Sequence, residues 1–369
     1  MIRWISVRAL CAGAFGLALA LSAAHAADLQ YKAPPAPAAE PSDVHGFFDL
    51  TFGNDYITPR GLLVTNTGLT TQVLAGLVLD LYKNPTGFIN DVSFTMGTWN
   101  DLWSEQHEPI VGAWNEFDWF LDLDFKFAQV WKFEVEYGEF LPPAHGVQLQ
   151  AGQVVGGVTL LSKQFVGETS TFRGDEGHVQ LTLSFDDSRS GLPIAFNPYI
   201  RWFYQTSGGQ YCASVVVLGN CSGVYYFEPG IVPTLDMKKY WGVPVTLTAP
   251  TWFSVGPTDF WNRNNGTTNF CGPFSNAACA LSNLGLFSTG LTAKAPINAI
   301  IPTRLGNWYV KGGFQYFHIF NDALLAAQEL TGSAGSFPPA PGTGGYGLGN
   351  YPSAHRDVLA GFVGTGFSF

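Results

Sequence analysis

W-N-E-F-D-W-F-L-D-L-D-F-K, Trp114 to Lys126, separates into two strings when every second residue is taken. Glu116, Asp118, Phe120, Asp122, Asp124 and Lys126 form one string, and Phe117, Trp119, Leu121, Leu123 and Phe125 the other. Successive strand side chains point to opposite faces, so a strand here holds carboxylates on one face and hydrocarbon on the other. A helix at ~3.6 residues per turn would scatter the acids among the aromatics and leave no polar stripe. The stretch predicts a strand standing between water and a very apolar phase.

The next run, W-K-F-E-V-E-Y-G-E-F, repeats the pattern. Lys132, Glu134, Glu136 and Gly138 alternate with Trp131, Phe133, Val135 and Tyr137. The short break Phe127 to Val130 joins the two runs into a hairpin with an aromatic outer face. Its inner face carries Glu116, Asp118, Asp122, Asp124, Glu134 and Glu136. Like charges on adjacent strands repel, so bases must offset them, and Lys126, Lys132 and Arg201 are the candidates. Such a wall either braces a lumen or forms a constriction favouring cations, because rings of acids lower the barrier for them.

Outward from this hairpin, apolar-polar runs of about ten residues alternate with turn-rich breaks, as in strands tilted through a ~25 Å apolar band. The predicted spans are 46–56, 70–82, 88–99, 114–126, 131–141, 177–186, 197–207, 224–236, 244–255, 285–296, 307–320 and 357–369. Breaks after even runs are the shorter class, such as Lys83 to Thr86 and Asp187 to Phe196. Breaks after odd runs include Pro142 to Glu176 and Asn321 to Arg356, and outer-membrane barrels alternate short turns with long external loops in this way. Gly146 to Ser162 is a possible further hairpin that would raise the count to fourteen, but Gly156-Gly157 weakens it as a wall strand.

The fold class that follows is all-β: a closed antiparallel transmembrane barrel of about twelve strands. Composition agrees, since 12% of residues are charged against roughly 25% in soluble domains. Arg3 and Arg8 ahead of an apolar run ending near Leu21, then Ala24-His25-Ala26, read as a signal peptide over 1–26. Without it the chain carries 16 Lys+Arg against 28 Asp+Glu, which argues against nucleic acid as a partner. Residues 27–43 read as a Pro/Ala-rich periplasmic leader, and 44–369 as the barrel in outer-membrane lipid. Beyond Cys11, Cys212, Cys221, Cys271 and Cys279 remain in an oxidising compartment. They allow three pairings, and the short separations favour Cys212 with Cys221 and Cys271 with Cys279, both in long breaks.

Leu359, Val363, Phe367 and Phe369 share one face of the last run, which resembles the C-terminal aromatic signature that the barrel-assembly machinery reads in outer-membrane proteins. A-D-L-Q-Y-K-A-P (Ala27 to Pro34) resembles the mature start of one group of those barrels. D-Y-I-T-P-R-G (Asp55 to Gly61), Gln72, A-G-L (Ala75 to Leu77), Gly87-Phe88 and G-T-W-N (Gly97 to Asn100) follow in an order similar to a small outer-membrane family with an S-D-Y-x-F-R-G-type hairpin. Asn54 replaces its usual Ser, and Ile57-Thr58-Pro59 its aromatic. That resemblance covers about a sixth of the chain and implies a barrel of unassigned function, with no catalytic residues.

Enzyme signatures are poor. His45, His107, His145, His178, His318 and His355 lack metal-ligand spacing, so no metal or cofactor is predicted. Gly342 to Gly347 satisfies G-x-G-x-x-G but sits in a Pro/Gly-rich break with no strand before it. A lipid-facing phospholipase would need a Ser and a His on the outer wall, and Ser254 with His318 is the conceivable pair. The predicted role is passive passage of small solutes or cations. The alternatives are a non-conducting surface barrel whose long loops bind a partner, and a soluble periplasmic binding barrel.

Overall fold

The computed structural model describes residues 43–57, 63–65, 68–104, 114–141, 147–149, 154–155, 158–159, 164–166, 176–207, 223–257, 283–321 and 355–369. Among these, twelve strands form one closed antiparallel wall. They are β1 (Val44–Gly53), β2 (Thr70–Lys83), β3 (Ile89–Trp103), β4 (Trp114–Phe127), β5 (Trp131–Leu141) and β6 (Glu176–Phe185). The second half comprises β7 (Tyr199–Ser207), β8 (Val224–Ile231), β9 (Thr251–Val255), β10 (Leu284–Pro296), β11 (Asn307–Ile319) and β12 (Asp357–Ser368). Each strand pairs with the next in sequence, and β12 returns to β1, from Phe47 opposite Ser368 to Gly53 opposite Phe362. Closure leaves none of these twelve strands at a sheet edge.

Register follows the alternation. Across β4 and β5, Asp122 faces Glu136 and Asp124 faces Glu134, while Leu121 faces Tyr137 and Leu123 faces Val135. A slip of one residue would exchange the two faces along the whole strand. Outward positions keep large apolar side chains uncovered. Leu77, Met96, Leu121, Ile200, Phe253, Leu291, Phe314 and Leu359, from eight different strands, are each at least 39% exposed. Inward positions at the long-loop end form a buried cluster that includes Phe203, Tyr226, Leu286, Phe317 and Ile319. The usual soluble arrangement is inverted only on the outside; the inside is partly filled.

At the short-turn end outward aromatics form rows. Phe367 stacks on Trp308 at 4.6 Å and on Phe48 at 5.8 Å, and Phe127, Trp131 and Phe185 continue across β4 to β6. The turn between β4 and β5 puts Ala128 and Gln129 at φ 47° and 64°, which side chains rarely adopt without help. Adjacent turns supply it: Ala128 N–H donates to Phe88 O at 2.7 Å and Gln129 N–H to Asn90 Oδ1 at 2.6 Å. In the β6–β7 turn Asp187 accepts from the N–H groups of Asn197 at 2.8 Å and Phe196 at 3.0 Å, which holds its carboxyl below the usual range.

One expectation needs correction. The runs 224–236 and 244–255 are not single strands, because each breaks near a proline, Pro233 and Pro250, that has no N–H for the ladder. The displaced pieces, Thr234–Asp236 and Thr246–Thr248, pair with each other, and the second also pairs with β10. A helix of one turn, Met237–Trp241, caps this hairpin, with Lys238 N–H donating to Asp236 at 2.9 Å. The reading of about twelve wall strands holds, since the described parts of Gly146 to Ser162 add none to the barrel sheet. Val147–Leu149 pairs with Gln164–Val166, and Val154–Val155 with Val158–Thr159, apart from the barrel sheet. The predicted signal peptide and nearly all the leader, and Cys212, Cys221, Cys271 and Cys279, lie outside the described residues.

Candidate functional site

The two faces of β4 and β5 are fixed by their pairing with β3 and β6, and the acidic string lines the lumen. Lys132 Nζ lies 2.8 Å from Asp124 Oδ1 and 2.8 Å from Glu134 Oε2. It thereby offsets a group in which carboxylate oxygens of Asp122, Asp124 and Glu134 lie within 4.8 Å of one another. That spacing would suit a metal ion, but the lysine ammonium already holds two of the three acids. Glu136 accepts from Gln180 Nε2 and has His178 Nε2 at 3.2 Å. Lys126 leaves the cluster for Asp91, 3.5 Å away at the short-turn end.

Nearer the long-loop end, Asp118 is 8% exposed, and Glu116 accepts from Tyr56 Oη at 3.1 Å. Tyr56 belongs to a hairpin between β1 and β2, Tyr56–Ile57 paired with Leu63–Thr65. The hairpin turns into the lumen. Tyr56 packs on Trp99 of β3 with ring centroids 5.3 Å apart, while Ile57 joins the buried cluster from β7, β8, β10, β11 and β12. The alternation does not show this bridge: it places Asp55 and Tyr56 at the end of the first predicted strand, 46–56, whereas β1 ends at Gly53 and Tyr56–Ile57 pairs apart from it.

Arg201 makes its direct ion pair outside the acidic hairpin, while its charge still acts through space on Glu134 and Glu136. Its Nη1 lies 3.1 Å from Glu228 Oε1 on β8, and its Nε donates to Thr182 Oγ1 at 3.4 Å. Tyr199 Oη donates to the same Glu228 oxygen at 2.9 Å. Glu228 was legible as a lumen residue, because it alternates with Tyr225 and Phe227, but its partner required the β7–β8 register. A second unforeseen group sits where β11 approaches β1. Lys311 Nζ meets Asp49 Oδ1 at 2.6 Å, Tyr309 Oη donates to Asp49 Oδ2 at 2.6 Å, and Lys294 stands 3.5 Å from the Tyr309 ring centroid.

These walls enclose a cavity of about 500 Å³. Asp55, Glu116 and Asp118 line it together with Arg201, Lys311, Gln72, Gln180 and Gln315. The rest is largely aromatic: Tyr56, Trp99, Phe140, Phe203, Tyr226, Phe317 and Phe362. Rings continue behind it, as His178 lies between Phe140 at 4.5 Å and Phe203 at 5.1 Å. Of the sequence-predicted lumen residues, Glu116, Asp118 and Arg201 reach this cavity; Asp122, Asp124, Lys132, Glu134 and Glu136 form the separate cluster nearer the short turns. Ser254 and His318 do not meet. Ser254 is fully buried on the inner face, whereas His318 faces outward, 2.7 Å from Asp357 and edge-on to Phe320.

No family model matches the chain, and no curated protein matches its sequence, so the hairpin resemblance at Asp55 to Gly61 has no support there. Solved structures of outer-membrane barrels are similar in outline. An outer membrane channel from Pseudomonas putida F1 gives a TM-score of 0.42 at 7% identity, over 90% of this chain and 97% of that one. OprB of Pseudomonas putida gives 0.37 at 11% identity, over 88% and 93%. The translocator domain of the autotransporter NalP from Neisseria meningitidis gives 0.34 at 10%, over 90% of each. At these scores the fold assignment rests on the closed strand pairing itself.

Proposed function

We propose that this chain is an outer-membrane barrel that passes small solutes, with a preference for cations. The observation that carries the reading is the split of polarity across one wall. Leu121, Phe314 and Leu359 face outward uncovered, while Asp118, Asp122, Asp124, Glu134 and Glu136 converge inside. An apolar belt around a closed barrel is stable against lipid, where backbone groups must find their partners within the wall. Acids around a narrow lumen lower the barrier for cations. Export by residues 1–26, staples at the cysteines, and hand-over to the assembly machinery at Phe369 belong to the same proposal.

One observation favours a second reading. The Tyr56–Ile57 hairpin crosses the lumen and is buried there, as a non-conducting barrel would require. Planar-bilayer recording across a KCl gradient separates the two. Single-channel steps with a cation-selective reversal potential are expected, and the combined Asp118→Asn, Asp122→Asn and Glu134→Gln variant is expected to move that potential toward zero. An unchanged potential overturns the cation preference, and the absence of steps favours the plugged barrel.

A further inference from the structure

On the short-turn rim, bases on one side are answered by acids, and on the other side they are not. Near the β2–β3 and β4–β5 turns Lys83 pairs with Asp80, and Lys126 with Asp91 at 3.5 Å. Lys238 and Lys239, in the one-turn helix between β8 and β9, and Arg304, between β10 and β11, are exposed and make no ion pair with any described residue. The one acid in these two connections is Asp236, which accepts from the backbone N–H of Lys238 at 2.9 Å. Because β9 pairs with β10, the two connections are consecutive on the rim, about two strand spacings or ~10 Å apart. In a chain of formal charge −10, three unpaired bases are thus concentrated in one place.

The same connections leave large apolar side chains uncovered. Trp241 and Ile300 are each 62% exposed, and Tyr240 is 40% exposed. They adjoin the outward aromatic row of the wall. Ile297 N–H donates to Trp308 O at 2.9 Å, so the β10–β11 connection begins at the level of Trp308, which stacks on Phe367 in that row. Trp and Tyr at such a boundary sit at the headgroup level of a bilayer, and lysine stems lie along apolar surface while their ammonium groups stay in water. Lys239 Nζ stands 5.2 Å from the Tyr240 ring centroid in this manner.

Each simpler occupant leaves part of the surface unused. A soluble anion would meet the bases and leave Trp241 and Ile300 in water. A lipid without net charge would cover the rings and leave three bases unanswered. An anionic phospholipid does both, since its charge lies at the depth where interfacial aromatics sit. We infer that this part of the rim is a docking surface for anionic phospholipid of the leaflet at the short-turn end. The phosphate lies among Lys238, Lys239 and Arg304, and the acyl chains lie beside Trp241 and Ile300. The inference requires the barrel to lie in a bilayer and does not depend on whether the lumen conducts.

Native mass spectrometry of the full chain tests this, with the protein released from detergent micelles doped with equal amounts of dioleoylphosphatidylglycerol and dioleoylphosphatidylcholine. Retained phosphatidylglycerol is expected to exceed phosphatidylcholine at least about fivefold. Lys238→Gln/Lys239→Gln/Arg304→Gln, at three exposed positions, is expected to remove that preference. Lys83→Gln/Lys126→Gln, which deletes bases that acids already answer, is expected to keep it, and heat-modifiable migration verifies that each variant is folded. Equal retention of the two lipids by the parent overturns the site, and so does a parent-level preference in the triple variant. An equal loss in the Lys83→Gln/Lys126→Gln variant makes the preference a general effect of net charge and overturns it too. Displacement of the phospholipid by glycerol 3-phosphate at equal concentration assigns the patch to soluble anions, and displacement by a tetra-aspartate peptide assigns it to a protein partner. Either displacement overturns the lipid assignment.

Discussion

Gly97 stands opposite Phe120, and a β-carbon there would run into the Phe120 ring. Phe120 is the one hydrocarbon side chain in the otherwise polar string of β4, and the glycine explains it. The ring lies over bare backbone on its neighbour instead of filling the lumen. Tyr199 does the same over Gly230, where a β-carbon would meet its ring at 2.6 Å. Gly97→Val is therefore expected to destabilise the barrel by about 1–3 kcal/mol through overpacking, read as a lower temperature of the heat-modifiable transition. Asp55, which lies outside the strands, gives a second residue-scale expectation. Burial pushes its carboxyl up to about 6. Because the folded chain holds that proton more tightly, stability falls as pH rises from the ordinary carboxylate range through about 6. Asp55→Asn should flatten that slope in thermal unfolding measured between pH 4 and 7.

The ladder is uneven from element to element. Between β11 and β12 twelve consecutive residues pair, from Asn307 to His318, whereas between β8 and β9 only Phe227, Gly230 and Ile231 find partners. Pro229 lies inside that gap and has no N–H to donate, and Pro233 and Pro250 end the ladder on the short-turn side. Hydrogen exchange in detergent should therefore show β9 amides exchanging faster than those of β11, and similar protection in both would contradict the broken seam. The alternation showed which side chains share a face, since parity is a local property of a strand. It could not show where a strand stops pairing, because that depends on what a proline meets across the seam. For the same reason Lys132 was legible as the counter-ion of its own hairpin, while the direct partner of Arg201 was not. That residue, Glu228, lies on the next strand in the opposite direction.

For the molecule as a whole, the strand number limits how wide the lumen can be. Twelve strands lie between eight-stranded barrels filled by side chains and the open porins of sixteen or more. In this barrel the short-turn half is lined by charge, and the long-loop half is filled by rings and by Ile57. Tyr56 and Ile57 enter that half from a connection and not from the wall, which is why alternation of strands and loop lengths revealed the barrel but not this hairpin. Ile57 is 6% exposed and contributes to the cluster built from five strands, so Ile57→Ala should cost about 2–5 kcal/mol at most sites of this kind. The wall does not depend on it for strand pairing, since the described strands of the hairpin pair with each other and not with the barrel sheet. Tyr56→Ala/Ile57→Ala should accordingly still close into a barrel, yet widen the path past Glu116. Roughly twofold or greater single-channel conductance is expected, with cation selectivity retained because the acids are untouched. If conductance is unchanged while the variant keeps its heat-modifiable migration, the hairpin is not the constriction. The narrowest point would then lie among Asp122, Asp124 and Glu134, where Lys132 spans the hairpin.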